Sequence, residues 1–392
     1  MKESKGRAVV VGGSIAGVCS AHALLSAGWE VMVLEKTTAP PTGSPTGAGL
    51  GLDPLARRII NSWLPQQQSD NLLNTHTLPL TIDQNQATDV EKKISRVLTR
   101  DESFNFRAAY WSDLHGKMIE IVGDLLVAAD GCMSSIRQTF LPDLKLRYSG
   151  YCAWRGVLDL SDDEKSEILV DLKKVYPDLG NCLYFDLGNG THSVFYELLN
   201  KRINWIWYVN QPEPQLKGNS VTMKVSNNMI KKMQEEAQKV WVPELATIIK
   251  ETKQPFLNVI YDCNPLKQIV WGPVVLIGDA AHPTTPHGLR STNMSILDAS
   301  VLGQCLMKSG VENLVARLQE YQSIRVPVTS KQVLYSRRLG RIKQGLVLDN
   351  GKVFDPKNAT LEEFQQKNMP GFDDVPLGLS TTMDASKYSS KL

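Results

Sequence analysis

A glycine-rich turn between two apolar segments constrains the fold of this chain more than any other feature. The apolar run at 7–11 is followed by GGSIAG at 12–17, a helix-type segment at 18–27 and a second apolar run at 29–34. A strand, a glycine-rich turn, a helix and a parallel second strand make a βαβ unit of about 30 residues. The sequence therefore predicts an α/β fold that begins with a Rossmann-like parallel sheet.

The residues of this turn match a dinucleotide-binding turn. Gly12 permits the tight turn out of the strand, and Gly17 permits close packing of the helix on the strand. Ser14 replaces the middle glycine of the GxGxxG pattern, and Gly13 beside it partly compensates. Glu35 ends the second strand about 20 residues further on, where a carboxylate accepts the ribose hydroxyls of an adenosine. The pattern favours a dinucleotide over a generic strand–helix turn and leaves FAD and NAD both open.

A second polar turn lies late in the chain, in the stretch 274–299. A short apolar strand leads into a Gly-Asp turn, a loop with two prolines and a helix that begins near Ser291. The free N–H groups and the dipole of a helix N-terminus attract an anion. We therefore expect an anion site here, suited to a ring that becomes negatively charged on reduction.

Two motifs extend the pattern of the first turn. DGCMSSIR at 130–137 fits DGxxSxxR, and GDAAHPTTPHGLRSTN at 278–293 fits a Gly-Asp motif with its following loop. With GGSIAG, they resemble the single-component flavin monooxygenases of the aromatic hydroxylase (para-hydroxybenzoate hydroxylase-like) family. The run YCAWRG at 151–156 and the serine in the first motif are most similar to the branch that contains 2,6-dihydroxypyridine hydroxylase. Three motifs in this order over residues 7–345 make a specific signature.

The resemblance implies a FAD cofactor whose binding residues are spread over the three motifs. Asp130 is expected to support FAD and the nicotinamide donor, and the helix that follows the last motif to face the flavin ring. The residues expected to bind FAD are Gly12, Gly13, Ser14, Ala16 and Gly17 at the pyrophosphate, Glu35 at the adenosine ribose, Arg107 on the phosphate side, Asp130, Asp279 at the ribityl chain, and Pro286, Gly288 and Asn293 against the isoalloxazine.

The resemblance also implies a reaction. NADH or NADPH would reduce the flavin, O2 would form a flavin C4a-hydroperoxide, and this species would hydroxylate a small aromatic or N-heteroaromatic substrate. The cofactor carries such chemistry, while the protein supplies position and excludes water, so the pattern requires no catalytic side chain. His287 is the candidate, because its loop is expected beside the flavin. His282 is expected to satisfy a local hydrogen bond, and Arg155 to be structural.

The sequence departs from the family pattern in two places. Ser291 stands where the loop usually has a glycine, so one close backbone approach to the ring is expected to change. The interval Leu114–Asp130 is short, whereas the family has the rest of a long helix and a strand of the parallel sheet there. Two alternatives therefore stay open beside a monooxygenase. One is an impaired or non-catalytic FAD-binding paralogue, and the other is a flavin oxidase or dehydrogenase.

The middle of the chain predicts a second sheet. Residues 151–263 contain four β-type runs joined by turns, which favours an inserted, mainly antiparallel substrate-domain sheet with helices. Its aromatic residues form either core or the wall of a pocket for a flat ring: Trp154, Tyr184, Trp205, Trp207 and Tyr208. Residues 64–103 are expected to be irregular apart from one strand. The predicted division is a FAD-binding domain at 1–150 and 264–345 that ends in C-terminal helices, the substrate-domain sheet at 151–263, and a partly disordered tail at 346–392.

The composition and the termini of the chain limit which partners, metal sites and locations are expected. The net charge is +2 without a long basic run, so we expect no nucleic-acid partner. Six cysteines without CxxC or Cys/His spacing predict reduced thiols and no metal site. No apolar run approaches the ~18 residues of a membrane span. The final residues Ser390, Lys391 and Leu392 match a peroxisomal address, so we expect an import receptor as partner and a peroxisomal location, with cytoplasm as the alternative.

Overall fold

The computed structural model describes most of the chain between residues 5 and 353. Side chains are described throughout these segments except at 82–87, 95–110, 166 and 289. The predicted tail beyond residue 353, with the Ser390–Leu392 address, and most of the interval 114–130 lie outside the described residues. The described segments are 5–35, 49–63, 77–87, 95–110, 124–161, 166–216, 220–223, 225–289, 291–308, 310–348 and 351–353.

Strands and helices alternate at the two ends of the chain, whereas strands dominate its middle. The strands are β1 (Arg7–Val11), β2 (Glu30–Leu34), β3 (Gly49–Leu52), β4 (Thr77–Ala87), β5 (Ser95–Tyr110), β6 (Leu125–Ala128), β7 (Arg147–Asp159), β8 (Cys182–Gly188), β9 (Thr191–Leu198), β10 (Arg202–Asn210), β11 (Thr222–Met223), β12 (Phe256–Asp262), β13 (Val270–Trp271) and β14 (Val274–Leu276). The α-helices are α1 (Ile15–Ser26), α2 (Pro54–Trp63), α3 (Ser135–Phe140), α4 (Ser166–Val175), α5 (Asn227–Val240), α6 (Pro243–Glu251), α7 (Ser291–Met307) and α8 (Leu314–Lys343).

The predicted βαβ unit is confirmed and forms the centre of a five-stranded sheet. The strand order is β13-β14-β6-β1-β2, and every pairing is parallel except that of the short edge strand β13. Ala8 and Val10 of β1 are fully buried, as expected for a strand covered on both faces. Among the described residues β2 forms the edge of the sheet opposite β13.

Gly12 and Gly17 of the first turn have the packing roles that the sequence predicts. Gly12 has φ +110°, and a Cβ there would lie 2.3 Å from the carbonyl oxygen of Ala129. A Cβ at Gly17 would lie 1.8 Å from the carbonyl oxygen of Gly12. Because heavy atoms cannot approach so closely, glycine is the residue that lets α1 begin directly against β1 and the end of β6.

A nine-stranded, mainly antiparallel sheet forms the second layer, in the order β11-β12-β7-β10-β9-β8-β4-β5-β3. It includes β3, β4 and β5, which the predicted division assigned to the FAD-binding domain. The expectation of irregular structure at 64–103 is wrong for 95–103, where β5 pairs with β4, and β4 pairs in parallel with β8. Ladder hydrogen bonds from remote strands order this polar segment, although it lacks an apolar alternation.

The two faces of this sheet have different neighbours. Cys152 and Trp154 of β7 join the apolar cluster that includes Met233 of α5 and Leu245 of α6. Tyr151 and its alternate neighbours on β7 belong to a separate cluster on the opposite face. Successive side chains of a strand alternate between faces, so one face is covered by helices and the other is available to build a site.

The C-terminal helices are confirmed, and none of the helices that the structure describes is long and apolar enough to cross a membrane. Helix α7 is buried around most of its circumference and packs on α1, where a Cβ at Gly303 would lie 2.8 Å from the Cβ of Ala23. Helix α8 lies at the end of the predicted segment 264–345 and contains Pro327 in its interior. Both helices back the parallel sheet and fix the turn after β14.

A buried carboxylate holds that turn. Asp298 of α7 is fully buried and accepts hydrogen bonds from Gly278 N at 2.9 Å, from His282 Nε2 at 2.5 Å and from Arg325 Nε at 2.7 Å. Burial by itself would raise the pKa of Asp298, but His282 and Arg325 outweigh it and lower the pKa to about 2. The predicted local hydrogen bond of His282 is therefore confirmed. The charge of Asp298 links α8 to the start of the Gly278 turn.

Gly17→Ala is expected to abolish the close contact of α1 with β1, because the new methyl group overlaps the carbonyl oxygen of Gly12. We expect a loss of about 2 kcal/mol or more in the free energy of unfolding, measured by urea denaturation. The control is Ser26→Ala at an exposed position of the same helix, which should change this free energy by about 0.5 kcal/mol or less. Equal stability of both variants would contradict the packing role of Gly17.

Asp298→Asn is expected to leave the buried guanidinium of Arg325 without its counterion. Removing one partner of a buried ion pair costs about 3 to 5 kcal/mol, so the urea midpoint should fall strongly. Glu236→Gln breaks the exposed pair with Lys239 and serves as the control, with an expected change below about 1 kcal/mol. An Asp298→Asn protein as stable as the control variant would show that the pair does not hold the turn.

Candidate active site

The three sequence motifs converge at the carboxyl ends of the parallel strands. A Cβ at Gly278 would lie 2.8 Å from the Cβ of Ala16, so the Gly-Asp turn sits directly on the start of α1. The contact of Gly12 with Ala129 brings the first motif to the residue before Asp130. In open α/β sheets, ligands bind in the crevice outside these strand ends. The convergence marks one candidate binding site.

Arg137 joins the second motif to the third, a role that the sequence analysis missed. It is 2% exposed, and its Nη1 donates to the carbonyl oxygens of Asp279 at 3.2 Å and Ala280 at 3.0 Å. Its Nη2 donates to the carbonyl oxygen of Cys132. The signal was present in the sequence, because Arg137 is the arginine of the DGxxSxxR pattern. This side chain fixes the backbone on both sides of the site.

The first turn fits a pyrophosphate. Ser14 precedes α1 in an extended conformation and makes no side-chain cap hydrogen bond, which leaves the first N–H groups of the helix for a ligand. Gly13 N donates to Glu35 Oε2 at 2.6 Å, so the predicted ribose acceptor lies at the same turn. The Arg107 backbone lies in β5 opposite Leu52. Its side chain lies outside the described residues, and its role stays a prediction.

Asp130 has an oxygen available to a ligand. Its Oδ2 accepts from Ile136 N at 3.2 Å and from Ser135 Oγ at 3.4 Å, which ties it to the start of α3. Its Oδ1 is buried and accepts no hydrogen bond from the described residues. A buried carboxylate oxygen without a donor is unusual. It fits a hydroxyl donor of the predicted cofactor.

Ser291, the departure from the family's glycine, has a specific contact. Its Oγ donates to Asp279 Oδ1 at 2.7 Å, which orients the carboxylate predicted to bind the ribityl chain. Burial raises the pKa of Asp279, and the Ser291 hydrogen bond opposes the rise. Ser291 also begins α7, so the helix start and the carboxylate are fixed together. The substitution therefore adds an interaction at this site.

The loop between the Gly-Asp turn and α7 carries the other predicted residues. Gly288 has φ +78°, a left-handed conformation that favours glycine. Asn293 is buried, accepts from Asp53 N at 3.1 Å and donates to the carbonyl oxygen of Gly51 at 3.2 Å. Asn293 thus holds the end of β3 beside the loop, while Pro286 lines the adjacent cavity. Their contact with an isoalloxazine stays a prediction.

A cavity of about 310 Å³ lies between this loop and the second sheet. The loop side contributes Asp279, Pro286, His287 and Ser291, and the sheet side contributes Gly49–Gly51 of β3 with side chains of β7 to β10 and β12. Pockets of this size hold a small ligand. The predicted flavin face and the antiparallel sheet therefore enclose one space.

Tyrosine and histidine rings form part of the sheet wall. His287 Nδ1 lies 3.3 Å from the Tyr151 hydroxyl, and its ring lies 5.0 Å from that of Tyr208. His192 stacks on Tyr208 with ring centroids 4.3 Å apart. Tyr208 and Tyr196 line the cavity, whereas Trp154, Tyr184, Trp205 and Trp207 lie in the core on the other face. The aromatic sheet is thus core on one face and pocket wall on the other.

Arg155 lines the cavity. Its expected structural role stays a prediction. Its neighbour Trp154 points into the opposite core, and alternation along β7 turns Arg155 to the cavity face. The sequence run WRG does not reveal which face of a strand is covered by helices. Burial raises the pKa of Tyr208, and the charge of Arg155 opposes the rise.

His287, the candidate catalytic residue, lies in the cavity wall and is 4% exposed. Burial, followed by the charges of Lys343 and Arg155, holds its pKa well below the ordinary value. A neutral imidazole at this position can accept a proton or a hydrogen bond. Lys343 is itself buried, and this burial lowers its pKa to about 7. Neither Lys343 nor His192 belongs to a motif that the sequence reveals.

Comparisons with known proteins give relatives of one kind. Aurachin C monooxygenase/isomerase from Stigmatella aurantiaca is 30% identical over 227 residues, 57% of this chain and 53% of that protein, so the chain spans about half the length of this relative. 3-Hydroxybenzoate 6-hydroxylase from Polaromonas naphthalenivorans is 26% identical over 377 residues, 85% of this chain and 87% of that protein. No model of a known protein family matches the chain.

Solved structures agree in fold. HpxO from Klebsiella pneumoniae, complexed with FAD and uric acid, superposes with a TM-score of 0.68 at 20% identity, over 86% of this chain and 89% of that one. 2,6-Dihydroxypyridine-3-hydroxylase from Arthrobacter nicotinovorans gives a TM-score of 0.71 at 18% identity, over 90% and 97%. The homologues of this chain are FAD-dependent aromatic hydroxylases, and the chain shares their fold.

Proposed function

We propose that this chain is a FAD-dependent monooxygenase that uses NADH or NADPH and O2 to hydroxylate a small aromatic or N-heteroaromatic ring. The observation that carries the proposal is the cavity shared by the Asp279–Ser291 loop and the aromatic face of the second sheet. It adjoins the three converging motifs, so a ring bound there lies beside the predicted flavin face. Its volume of about 310 Å³ suits a one- or two-ring substrate.

The protein's own residues would bind and orient the cofactor and the substrate and exclude water from the cavity. Bound FAD would supply the redox chemistry that activates O2. Ser14 and the start of α1 would hold the pyrophosphate, while Asp130 and Asp279 would accept hydrogen bonds from the cofactor's hydroxyls. Tyr208 and the rings around it would hold the substrate ring edge-on or stacked and exclude water. His287, neutral and beside the Tyr151 hydroxyl, can accept a proton from a substrate hydroxyl.

The names of the relatives support this substrate class. They include enzymes that act on 3-hydroxybenzoate and a solved structure that contains uric acid. The two alternatives predict different behaviour. An oxidase or dehydrogenase oxidises NAD(P)H or substrate without inserting oxygen, and an impaired or non-catalytic FAD-binding paralogue binds FAD weakly or binds it without turnover. The direct contact of Ser291 with Asp279 favours an intact flavin site.

The expected result is a yellow purified protein that oxidises NAD(P)H faster when a small phenol or hydroxypyridine is present. The measurement combines a flavin spectrum, an NAD(P)H-oxidation screen and mass spectrometry for a hydroxylated product. Hydrogen peroxide formed in equal amount to NAD(P)H consumed, without hydroxylated product for any compound, would support the oxidase. A folded protein that holds FAD only weakly, or that binds FAD and oxidises NAD(P)H with no compound, would support the impaired or non-catalytic paralogue.

Asp279→Ala is expected to weaken FAD binding by about tenfold or more, because a hydrogen bond to a charged group contributes about 1.5 to 3 kcal/mol. The measurement is the dissociation constant for FAD by fluorescence quenching. Asp143→Ala, which changes an exposed aspartate after α3, is the control and should bind FAD as the unchanged protein does. Unchanged FAD affinity in Asp279→Ala would remove Asp279 from the cofactor site.

A further inference from the structure

Unpartnered nitrogen atoms gather at one end of the cavity. His192 and His287 both line it, are 0% and 4% exposed, and have ring centroids 5.1 Å apart. The Nε2 atom of each histidine and the Nε atom of Arg155 are buried and have no hydrogen-bond partner among the described residues. Buried polar atoms are nearly always paired. Three unpaired nitrogens on one cavity indicate a polar ligand at this end, and Arg155 Nε is a donor that requires an acceptor on that ligand.

A buried lysine lies behind this end. Lys343 is the last residue of α8 and is 5% exposed. Its Nζ lies 3.5 Å from the centroid of the Phe185 ring, and Phe185 lines the cavity. The charge of Lys343 also acts on His192 and His287, where it helps to lower both pKa values. The lysine therefore contributes positive potential to the histidine end, although it stands outside the cavity lining.

The charges around the cavity are unevenly distributed. Asp279 is the carboxylate among the lining residues, and it lies in the Gly-Asp turn, bound to Ser291. Arg155 lines the cavity, and Lys343 stands behind Phe185. In a medium of low dielectric constant, such charges attract an anion much more strongly than they do in water. The cavity thus has a polarity, with a carboxylate at the flavin side and cations at the histidine end.

We infer that Lys343 is a specificity-determining residue which, with Arg155, makes the histidine end of the cavity a receptor for an anionic oxygen on the aromatic substrate. The inference rests on the proposed function and names the substrate class of the same site. The oxygen belongs either to a carboxylate or to a phenolate, which share the negative charge and the acceptor geometry. Arg155 Nε donates to that oxygen, and Lys343 acts on it through space. The neutral His192, whose Nδ1 donates to Gln344 Oε1 at 2.7 Å, presents an acceptor nitrogen to the rest of the ligand.

The charge of Lys343 makes anion binding depend on pH. Burial lowers the pKa of Lys343 to about 7, so its charge is present below this pH and lost above it. Burial lowers the pKa values of His192 and His287 well below their ordinary value and raises those of Tyr151, Tyr196 and Tyr208, so these five groups do not titrate near pH 7. Affinity for an anion should therefore fall as the pH rises through about 7.

The test measures binding to the flavin-loaded protein, so it does not depend on turnover. Benzoate and the neutral benzamide form one matched pair, and pentafluorophenol, ionised near neutral pH, and the neutral pentafluoroaniline form the other. Binding is read from the change in the flavin spectrum. At about pH 6 we expect at least one of the two anions to bind about tenfold or more tightly than its neutral partner, a difference of about one decade in Kd. A preference for benzoate over benzamide identifies the substrate oxygen as that of a carboxylate. A preference for pentafluorophenol over pentafluoroaniline identifies it as that of a phenolate.

Lys343→Met keeps the length and apolar stem of the side chain and removes the charge. It should weaken binding of the preferred anion by about fivefold and change that of its neutral partner by less than about twofold. Its anion affinity should also be nearly constant between about pH 6 and pH 8.5, whereas that of the unchanged protein falls. Lys331→Met, at an exposed position of the same helix, is the control. Lys343→Arg, charged at every pH, should keep anion binding at about pH 8.5.

Specific outcomes overturn the inference. Equal binding of each anion and its neutral partner by the unchanged protein, or no binding of any probe, rejects the anionic substrate class. Equal weakening of anion and neutral partner in Lys343→Met, with a preserved pH dependence, means that Lys343 is only structural. If Lys343→Met does not retain flavin, Arg155→Gln replaces it and must lose the anion preference. Failure of the proposed function is seen separately, as absence of flavin or of hydroxylated product.

Discussion

The buried carboxylate of Asp298 is the interaction on which the site depends. It accepts the Gly278 N–H and pairs with Arg325 and His282, so one charge on α7 fixes the turn, the following loop and α8 relative to each other. Arg137 braces the same turn from the other side through the carbonyl oxygens of Asp279 and Ala280. Buried ions need partners of opposite charge, and here that requirement ties the cofactor loop to α7 and α8.

Much of the parallel sheet could be predicted from the sequence, because its determinants are local. A glycine that must approach a carbonyl oxygen, as Gly17 does, leaves a mark at one position. The faces of the second sheet could not be predicted in this way. Trp154 and Arg155 are adjacent, yet one enters the helix-covered core and the other the cavity. Which face receives helices is decided by α5 and α6, more than 70 residues away in the chain. The same holds for β5, whose partners are remote strands.

The departures from the family pattern have different physical meanings. Ser291 replaces a glycine and gains a hydrogen bond to Asp279, so the local change is compensated. The short interval Leu114–Asp130 falls largely outside the described residues, and β2 is the outer strand among those that are described. The cavity itself combines a cofactor loop, an aromatic wall and a basic end. A flavoprotein contributes to the chemistry of its cofactor by positioning the substrate, excluding water and placing charges around the reacting ring.

The most direct test of the central claim is the fate of molecular oxygen. The flavin-loaded protein is given NAD(P)H, an aromatic compound that stimulates its oxidation, and O2 labelled with oxygen-18. A monooxygenase places one labelled atom in the hydroxylated ring, and product forms in step with NAD(P)H consumption. A product without the label, or label recovered only in hydrogen peroxide, would contradict the account.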